Sequence, residues 1–234
     1  MQVIGHRGAA ALAPENTWEG FDVALSLGVD AIETDVQVSR DGELILIHDE
    51  TLDRTTNGEG RIADTPWSAI KTLDAGSWFS KRYQGARIPR LYDTLERYGE
   101  RVHLVLEVKV LGIEDQVLGM VRELGLIDNV TFTSTFFEVA QGIKRANAHA
   151  KVGFLTSDTS EDEVMRVVST DLDQFCPPAR AVLGEQVSRW KALGLEVRAW
   201  GVTDTEVMMN AIHAGVDGMT VDFPHLLLEA LGRG

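Results

Sequence analysis

Two pairs of charged side chains occupy alternate positions at the ends of neighbouring predicted strands. The first pair is Glu33 and Asp35, and the second is Glu107 and Lys109. Side chains two residues apart on a strand share a face, so each pair points one way. Buried carboxylates are costly unless they are paired or bind a metal. A structural salt-bridge pair is one interpretation of Glu33 and Asp35, but two pairs at the same level are hard to explain by packing.

Three carboxylates that lie close together favour the binding of a hard cation, because such cations prefer oxygen ligands. Glu33, Asp35 and Glu107 therefore predict a site for Ca²⁺ or Mg²⁺, with water at the remaining positions. A set made only of carboxylates disfavours zinc, which prefers His and Cys. Cys176 is the single cysteine, so the sequence offers no disulfide framework, and we expect a cytoplasmic protein.

Two histidines end predicted strands close to these charged positions. His6 lies between glycines, which let backbone and ligand approach closely, and His48 ends an apolar run before Asp49. Polar surface or core residues are the alternative interpretation of both. If they share a site with the carboxylates, they can act as general acid and general base. The sequence leaves open which histidine has which role, and whether water or a substrate hydroxyl is the nucleophile.

Arg7 and Lys109 are candidate contacts for an anion. The formal net charge is −14, which argues against nucleic acid and anionic membrane surfaces as partners. An anionic substrate therefore needs positive charge within the site. The planar fork of Arg suits phosphate oxygens, and Lys supplies a point charge. Each could instead form a surface salt bridge, but together with a cation and two histidines they indicate phosphate ester hydrolysis.

Eight strand patterns alternate with eight helical patterns, which is typical of a parallel α/β fold. The predicted strands are Gln2–Gly5, Asp30–Val38, His103–Lys109, Val130–Ser134, Lys151–Leu155, Asp173–Cys176, Glu196–Val202 and Gly218–Val221. The predicted helices are Asn16–Leu27, Leu91–Tyr98, Glu114–Leu124, Glu138–Ala148, Glu161–Val168, Ala179–Leu193, Thr205–Ala214 and Pro224–Leu231. We expect one catalytic domain over residues 1–234, a single (β/α)₈ TIM barrel. A doubly wound sheet is the rival, but Gly5-His6-Arg7-Gly8 is not a dinucleotide fingerprint.

Residues 39–89 interrupt this alternation and are too many for an ordinary βα loop. They predict an insertion after the second strand, on the catalytic face of the barrel. Four aromatic residues of the insertion are interpreted as its own small core, with a wall for an acyl chain as the alternative. These residues are Trp67, Trp78, Phe79 and Tyr83. No run of about 18 apolar residues occurs, so no stable membrane insertion is expected.

Several segments, in the same order along the chain, resemble the glycerophosphodiester phosphodiesterase family. They are Gly5-His6-Arg7-Gly8, Pro14-Glu15-Asn16-Thr17, Glu33-Thr34-Asp35, the run from His48 to Gly58, Leu106-Glu107-Val108-Lys109 and Gly215-Val216-Asp217-Gly218. The resemblance implies His6 and His48 as the acid/base pair and the three carboxylates as ligands of Ca²⁺ or Mg²⁺. The resemblance also implies that Arg7 and Lys109 contact the phosphate. It further implies that residues 39–89 are the insertion characteristic of the family.

Three further positions depend on this resemblance. Trp200 matches a family aromatic beside the substrate, with ordinary barrel packing as the alternative. Asn16 could contact the site or cap the first helix with Pro14 and Thr17, and the cap is the favoured interpretation. The chain departs from the family pattern at residues 134–136, 200–203 and 221–224, which concerns the specificity for the alcohol.

The resemblance implies hydrolysis of small glycerophosphodiesters, such as glycerophosphocholine and glycerophosphoethanolamine, to glycerol 3-phosphate and an alcohol. A lysophospholipase D acting on lysophospholipids is one alternative. A non-catalytic anion-binding barrel is another, although it predicts the loss of a histidine or a ligand. An aldolase or isomerase would use Lys109 as a base or Schiff base. The head group, the preferred metal and the oligomeric state are left open.

Overall fold

Eight parallel strands close into a barrel in the computed structural model, which describes residues 1–234. The strands are β1 (Gln2–Gly5), β2 (Ala31–Val38), β3 (Leu44–Leu46), β4 (His103–Val108), β5 (Val130–Ser134), β6 (Lys151–Leu155), β7 (Gln174–Cys176), β8 (Glu196–Ala199) and β9 (Gly218–Val221). All pairings are parallel except that of the short β3 with β2, and β1 pairs with both β2 and β9. The predicted (β/α)₈ barrel is confirmed.

Helices follow the barrel strands and cover the outside of the sheet. They are α1 (Trp18–Leu27), α2 (Trp67–Ile70), α3 (Leu91–Tyr98), α4 (Glu114–Glu123), α5 (Phe137–Ala146), α6 (Glu161–Val168), α7 (Gly184–Ala192), α8 (Thr205–Ala214) and α9 (Pro224–Ala230). The largest hydrophobic cluster contains 49 buried residues, and it includes apolar side chains of both strands and helices. None of these helices combines the length and apolar character needed to span a bilayer.

The interior of the barrel becomes polar toward the carboxyl ends of the strands. Ile4, Ala31 and Val105 form a small apolar cluster inside it. Inward side chains of alternate strands lie at the same height and form layers across the barrel. The strand register places two such layers, both rich in polar residues, between the level of Ile4 and Val105 and the carboxyl ends of the strands. The lower of these layers contains Glu33, Thr133, Cys176 and Thr220, and the upper one contains His6, Glu107, Leu155 and Trp200. The polar end of the barrel therefore faces the loops that follow the strands.

The insertion, residues 39–89, packs around a cluster of its own. Its strand β3 pairs with β2 through Leu46 and Val36, so the insertion begins as an extension of the barrel sheet. The cluster is aliphatic and consists of Ile45, Ile47, Leu52, Ile62, Ile70, Ala75 and Ile88, with Trp67 and Leu73 packed against it. Of the four aromatic residues predicted to form this core, only Trp67 contributes.

The other three aromatic residues form a separate group at the surface of the insertion. Trp78 and Phe79 meet edge to face, as do Phe79 and Tyr83, and the Trp78 residue is 39% exposed. The Tyr83 hydroxyl donates to the Leu12 carbonyl over 3.2 Å. This aromatic group therefore connects the insertion to the loop between β1 and α1.

The glycines beside His6 allow two backbone segments to approach each other. Gly8 has φ +96°, and a Cβ added to it would lie 2.6 Å from the carbonyl carbon of Gly20 in α1. A Cβ added to Gly5 would lie 2.2 Å from the Gly8 carbonyl oxygen. The sequence-based explanation, in which these glycines admit a ligand, is therefore replaced by close packing of the β1–α1 loop on α1.

Gly8→Ala should lower the free energy of unfolding by about 1–3 kcal/mol, because alanine is strained at this φ and meets the α1 backbone. Gly119→Ala is the matched control: Gly119 is exposed within α4 and an added Cβ meets nothing within 4 Å. That change should raise the free energy of unfolding by about 0.5–1 kcal/mol. Denaturant unfolding measures both, and equal effects of the two substitutions would contradict the proposed packing role of Gly8.

Candidate active site

A cavity of about 350 Å³ opens at the carboxyl ends of the barrel strands. Seven of the eight predicted site residues line it: His6, Arg7, Glu33, His48, Glu107, Lys109 and Trp200. The eighth, Asp35, is fully buried directly beside them. Residues from β2, β4 and the insertion, and from the positions directly after β1, β4 and β8, therefore meet in one place, although they are far apart in the sequence.

The three predicted cation ligands form a compact group on β2 and β4. Asp35 and Glu107 are direct partners in the parallel register, and Glu33 lies two residues before Asp35 on the same strand. One carboxylate oxygen from each residue lies within 4.8 Å of the others. Glu33 Oε1 and Asp35 Oδ1 are buried and have no hydrogen-bond partner. Such unsatisfied oxygens fit a bound hard cation, because a cation would supply the missing partner.

Two cationic side chains, Arg7 and Lys109, balance part of the negative charge of this carboxylate group. Arg7 Nε lies 3.1 Å from Asp35, and Lys109 Nζ lies 3.6 Å from Asp35 and 3.0 Å from Glu107. Burial and the neighbouring Asp35 carboxylate raise the pKa of Glu33 to about 7. Burial acts in the same direction on Asp35, but Arg7 and Lys109 outweigh it and hold the pKa of Asp35 below its usual range.

The Asp222 carboxylate, in the loop that follows β9, orients His6. The Nδ1 of His6 hydrogen-bonds Asp222 over 2.5 Å, and its Nε2 lies 3.9 Å from Glu33. Burial disfavours the charged imidazole, but the Asp222 hydrogen bond and the charge of Glu33 outweigh it, so the pKa of His6 lies above its ordinary value. With Nδ1 engaged, Nε2 is the atom available for proton transfer in the cavity.

His48 has a similar arrangement on the insertion. Its Nδ1 hydrogen-bonds the Asp49 carboxylate over 2.7 Å, which leaves Nε2 without a protein partner. The Gln37 side chain on β2 donates to the His48 carbonyl over 3.2 Å and thereby ties the start of the insertion to the barrel. Arg54 in turn holds Asp49 through its Nε over 2.6 Å.

A chain of charges connects the loops that carry the two histidines. Glu15 accepts from Arg7 over 2.8 Å and from Arg54 over 2.8 Å, and Arg54 contacts Asp49. Arg7 itself has φ +51°, a conformation that costs energy in a non-glycine residue. Glu15 and Asp35 therefore hold the Arg7 guanidinium in one position at the cavity.

Residues 6–226 match the model of the glycerophosphoryl diester phosphodiesterase family. The chain belongs to this family. A glycerophosphodiester phosphodiesterase of Caldanaerobacter subterraneus subsp. tengcongensis is 37% identical over 238 residues, which cover 99% of this chain and 98% of that protein. The chain is therefore a phosphoric diester hydrolase, as the sequence resemblance implied.

Solved structures of family members agree with this assignment. A glycerophosphodiester phosphodiesterase from Agrobacterium tumefaciens superposes with a TM-score of 0.87 at 33% identity, covering 98% of this chain and 99% of its own. An Oleispira antarctica phosphodiesterase, solved in complex with the product sn-glycerol-3-phosphate, superposes with a TM-score of 0.88 at 30% identity. That match covers 99% of this chain and 97% of the other chain.

The interpretation of Asn16 as a helix cap is wrong. Thr17 caps α1, because its side chain accepts from the backbone N–H of Gly20, and α1 begins at Trp18. Asn16 instead donates to Asp35 Oδ2 over 2.8 Å, with its backbone at φ +53°. It therefore fixes a member of the carboxylate group, and the local capping signals could not reveal a contact with β2.

Several residues in or beside the cavity were not assigned roles from the sequence. Glu15, Asp49 and Arg54 lie within segments that carry the resemblance, so that signal could have indicated them. Asp222 belongs to a segment that was noted only as a departure from the family pattern. Arg198, which lines the cavity from β8, had no sequence signal at all.

Proposed function

We propose that this family member hydrolyses glycerophosphodiesters to glycerol 3-phosphate and an alcohol, with a divalent cation and two histidines. The observation that carries the proposal is that two imidazoles, two cationic side chains and the carboxylates of Glu33 and Glu107 line one cavity, with the Asp35 carboxylate buried beside it. Residues 1–234, including the insertion 39–89, would act as one catalytic domain, because His48 of the insertion and His6, directly after β1, border the same cavity.

Glu33, Asp35 and Glu107 would hold the cation, and an all-oxygen set favours Ca²⁺ or Mg²⁺. When bound, such a cation polarises phosphoryl oxygens and neutralises charge on them. Arg7 and Lys109 border the same carboxylates and the cavity, so a phosphodiester bound there would meet both. They would supply positive charge beside the substrate in a protein whose formal net charge is −14.

His6 and His48 are proposed as the proton-transfer groups. Each has its Nδ1 fixed by a carboxylate, Asp222 for His6 and Asp49 for His48, which leaves each Nε2 to take or give a proton. General acid–base catalysis contributes about 10²–10⁴-fold, or roughly 3–5 kcal/mol per group. Phosphate ester hydrolysis needs a reduction of roughly 20 kcal/mol, so electrostatic stabilisation and positioning must supply the larger part.

The composition of the cavity supports a small polar substrate. Only Leu155 and Trp200 are hydrophobic among its 13 lining residues, and no aromatic residue of the insertion belongs to them. The product complex of the Oleispira antarctica relative supports glycerol 3-phosphate as the product of this chain also. Trp200 donates from its indole N–H to the Cys176 carbonyl over 2.8 Å and lines the cavity, which supports its proposed contact with the substrate.

The proposal is tested by release of glycerol 3-phosphate from glycerophosphocholine and glycerophosphoethanolamine, with Mg²⁺, with Ca²⁺ and with chelator. We expect turnover of both diesters with at least one cation and its loss in chelator. A lysophospholipid assayed in parallel should be turned over far more slowly. Turnover of the lysophospholipid alone would contradict the substrate class, and equal turnover in chelator would contradict the role of the carboxylates.

A further inference from the structure

Arg54 in the insertion hydrogen-bonds two carboxylates at once. Its Nε and Nη2 donate to Asp49 over 2.6 and 3.0 Å, and its Nη1 and Nη2 each donate to Glu15 over 2.8 Å. The Arg54 side chain is 44% exposed, and it does not line the cavity. Ion pairs at such exposed positions contribute little to the stability of a protein. Stabilisation of the fold therefore does not account for a guanidinium with both edges occupied.

The Asp49 carboxylate has two side-chain partners, His48 and Arg54. Its Oδ1 lies 2.7 Å from Nδ1 of His48. The hydrogen bonds from Arg54 outweigh burial and hold the pKa of Asp49 well below its ordinary value. An ionised carboxylate can only accept hydrogen bonds, so Nδ1 of His48 is the donor. In the neutral imidazole the proton therefore lies on Nδ1, and Nε2 carries the lone pair.

The two histidines differ in what holds their carboxylates in place. His6 and Asp222 directly follow the paired strands β1 and β9, and the His6 backbone N–H donates to the Val221 carbonyl over 2.9 Å. The register of the barrel strands therefore brings His6 and Asp222 together. His48 and Asp49 lie outside the barrel strands, in a series of bends after β3, so their side chains need a different support.

Glu15 supplies a fixed point for Arg54 in the loop between β1 and α1. The Glu15 side chain is only 10% exposed, and it also accepts from Arg7 over 2.8 Å. Arg7 is held in turn by Asp35 on β2, over 3.1 Å. Because a guanidinium is planar and rigid, fixing one edge on Glu15 also fixes the edge that meets Asp49.

We propose that Arg54 is a positioning residue, which holds the Asp49 carboxylate against Nδ1 of His48 and thereby fixes the orientation of that imidazole at the cavity. Arg54 forms its salt bridges with Glu15 and Asp49 and with none of the proposed cation ligands. Its effect on the reaction therefore passes through His48. This inference rests on the proposed function, in which His48 transfers a proton.

The test measures the effect of Arg54→Met with and without His48, in the cation-loaded protein. The substrates are glycerophosphocholine and glyceryl 4-nitrophenyl phosphate, a chromogenic diester that keeps slow variants measurable. In the wild-type background, Arg54→Met should lower kcat for glycerophosphocholine by about 10- to 100-fold, the effect of misplacing a catalytic group by up to about 1 Å. In the His48→Asn background it should have little further effect with either substrate, because no imidazole remains to be oriented. Equal losses in the two backgrounds, or no loss in the first, would overturn the proposal.

Arg61→Met is the matched control for this substitution. Arg61 lies in the same insertion, is 60% exposed and pairs with Glu50 over 3.2 Å, but neither residue lines the cavity. This variant should keep the kcat of the wild-type protein. Arg54→Lys retains the charge but not the planar fork, so it should recover only a minor part of the lost activity. Full activity in Arg54→Lys would show that charge alone suffices and would overturn the positioning role.

The imidazole of His48 provides a readout that needs no turnover. Nitrogen NMR chemical shifts distinguish the protonated from the unprotonated nitrogen of a neutral imidazole, and comparison with His48→Asn assigns the signals. At alkaline pH the wild-type protein should show one tautomer of His48, with the proton on Nδ1. In Arg54→Met the two shifts should approach each other as the tautomers mix, and an unchanged spectrum would overturn the inference. Normal turnover in His48→Asn would contradict the proposed function instead, and this spectrum would then decide the inference separately.

Discussion

His48→Asn is expected to lower kcat for glycerophosphocholine by about 100- to 10,000-fold, because the variant cannot transfer a proton at Nε2. The fold should persist, since His48 is partly exposed and its backbone is held by Gln37. His6→Asn should lose turnover to a similar extent. The measurement is steady-state release of glycerol 3-phosphate under saturating cation, with the melting temperature as the check on folding.

His149→Asn is the matched control for both variants. His149 is exposed after α5, at the opposite end of the barrel, so the same chemical change there should leave kcat unaltered. Normal turnover in either His6→Asn or His48→Asn would show that the acid/base assignment is wrong for that residue.

The same two variants can assign acid and base, which the sequence leaves open. A 4-nitrophenyl leaving group departs without a proton, whereas the alkoxide of choline needs one. The variant that lacks the general acid should therefore lose much less activity with the 4-nitrophenyl ester than with glycerophosphocholine. The variant that lacks the general base should lose activity equally with both substrates.

The carboxylate group could be predicted from the sequence because its geometry is mostly local. The two-residue period of a strand places Glu33 with Asp35 without knowledge of the fold. Glu107 joins them because parallel strands present their carboxyl ends on one side of a barrel. The eight strands were recognisable for a related reason, since buried parallel strands are short apolar runs of a distinctive kind.

The groups that orient and complete the site could not be predicted in this way. Asp222 reaches His6 across 216 positions of sequence, because closure of the barrel places β9 beside β1. Arg198 occupies an inward position on β8 where an apolar residue would have been equally compatible with the strand pattern. These residues depend on how the strands are registered around the barrel, and no local pattern encodes that.

The aromatic residues of the insertion show a second reason why part of the structure could not be predicted from the sequence. Composition suggested a core made of large rings, but branched aliphatic side chains fill the space beside β3 instead. Hydrophobicity alone does not distinguish a side chain that fills an interior from one that braces two loops. Tyr83 illustrates the second case, because its hydroxyl bonds the Leu12 carbonyl while its ring packs at the surface.

Glu33→Gln is expected to stabilise the cation-free protein while it weakens cation binding. The Glu33 side chain is 4% exposed, it has an unpaired Oε1, and it lies beside the Asp35 carboxylate. Glutamine keeps the shape and can still accept from the Arg7 backbone N–H, which contacts Glu33 Oε2 over 3.1 Å. Removing a buried charge repelled by its neighbour should raise the free energy of unfolding by about 1–3 kcal/mol.

Thermal unfolding with chelator and with increasing Ca²⁺ or Mg²⁺ measures both effects. Cation at about 100 times its dissociation constant should stabilise the wild-type protein by about 2.7 kcal/mol, and the variant should gain little at the same concentration. Glu100→Gln, an exposed loop change far from the cavity, should leave both curves unaltered. A cation response of wild-type size in Glu33→Gln would exclude Glu33 as a ligand. The sign of the change in the cation-free protein distinguishes the two interpretations of Glu33. If Glu33 formed a structural salt bridge, Glu33→Gln would lower the free energy of unfolding. If Glu33 is a cation ligand without its cation, the same substitution should raise it.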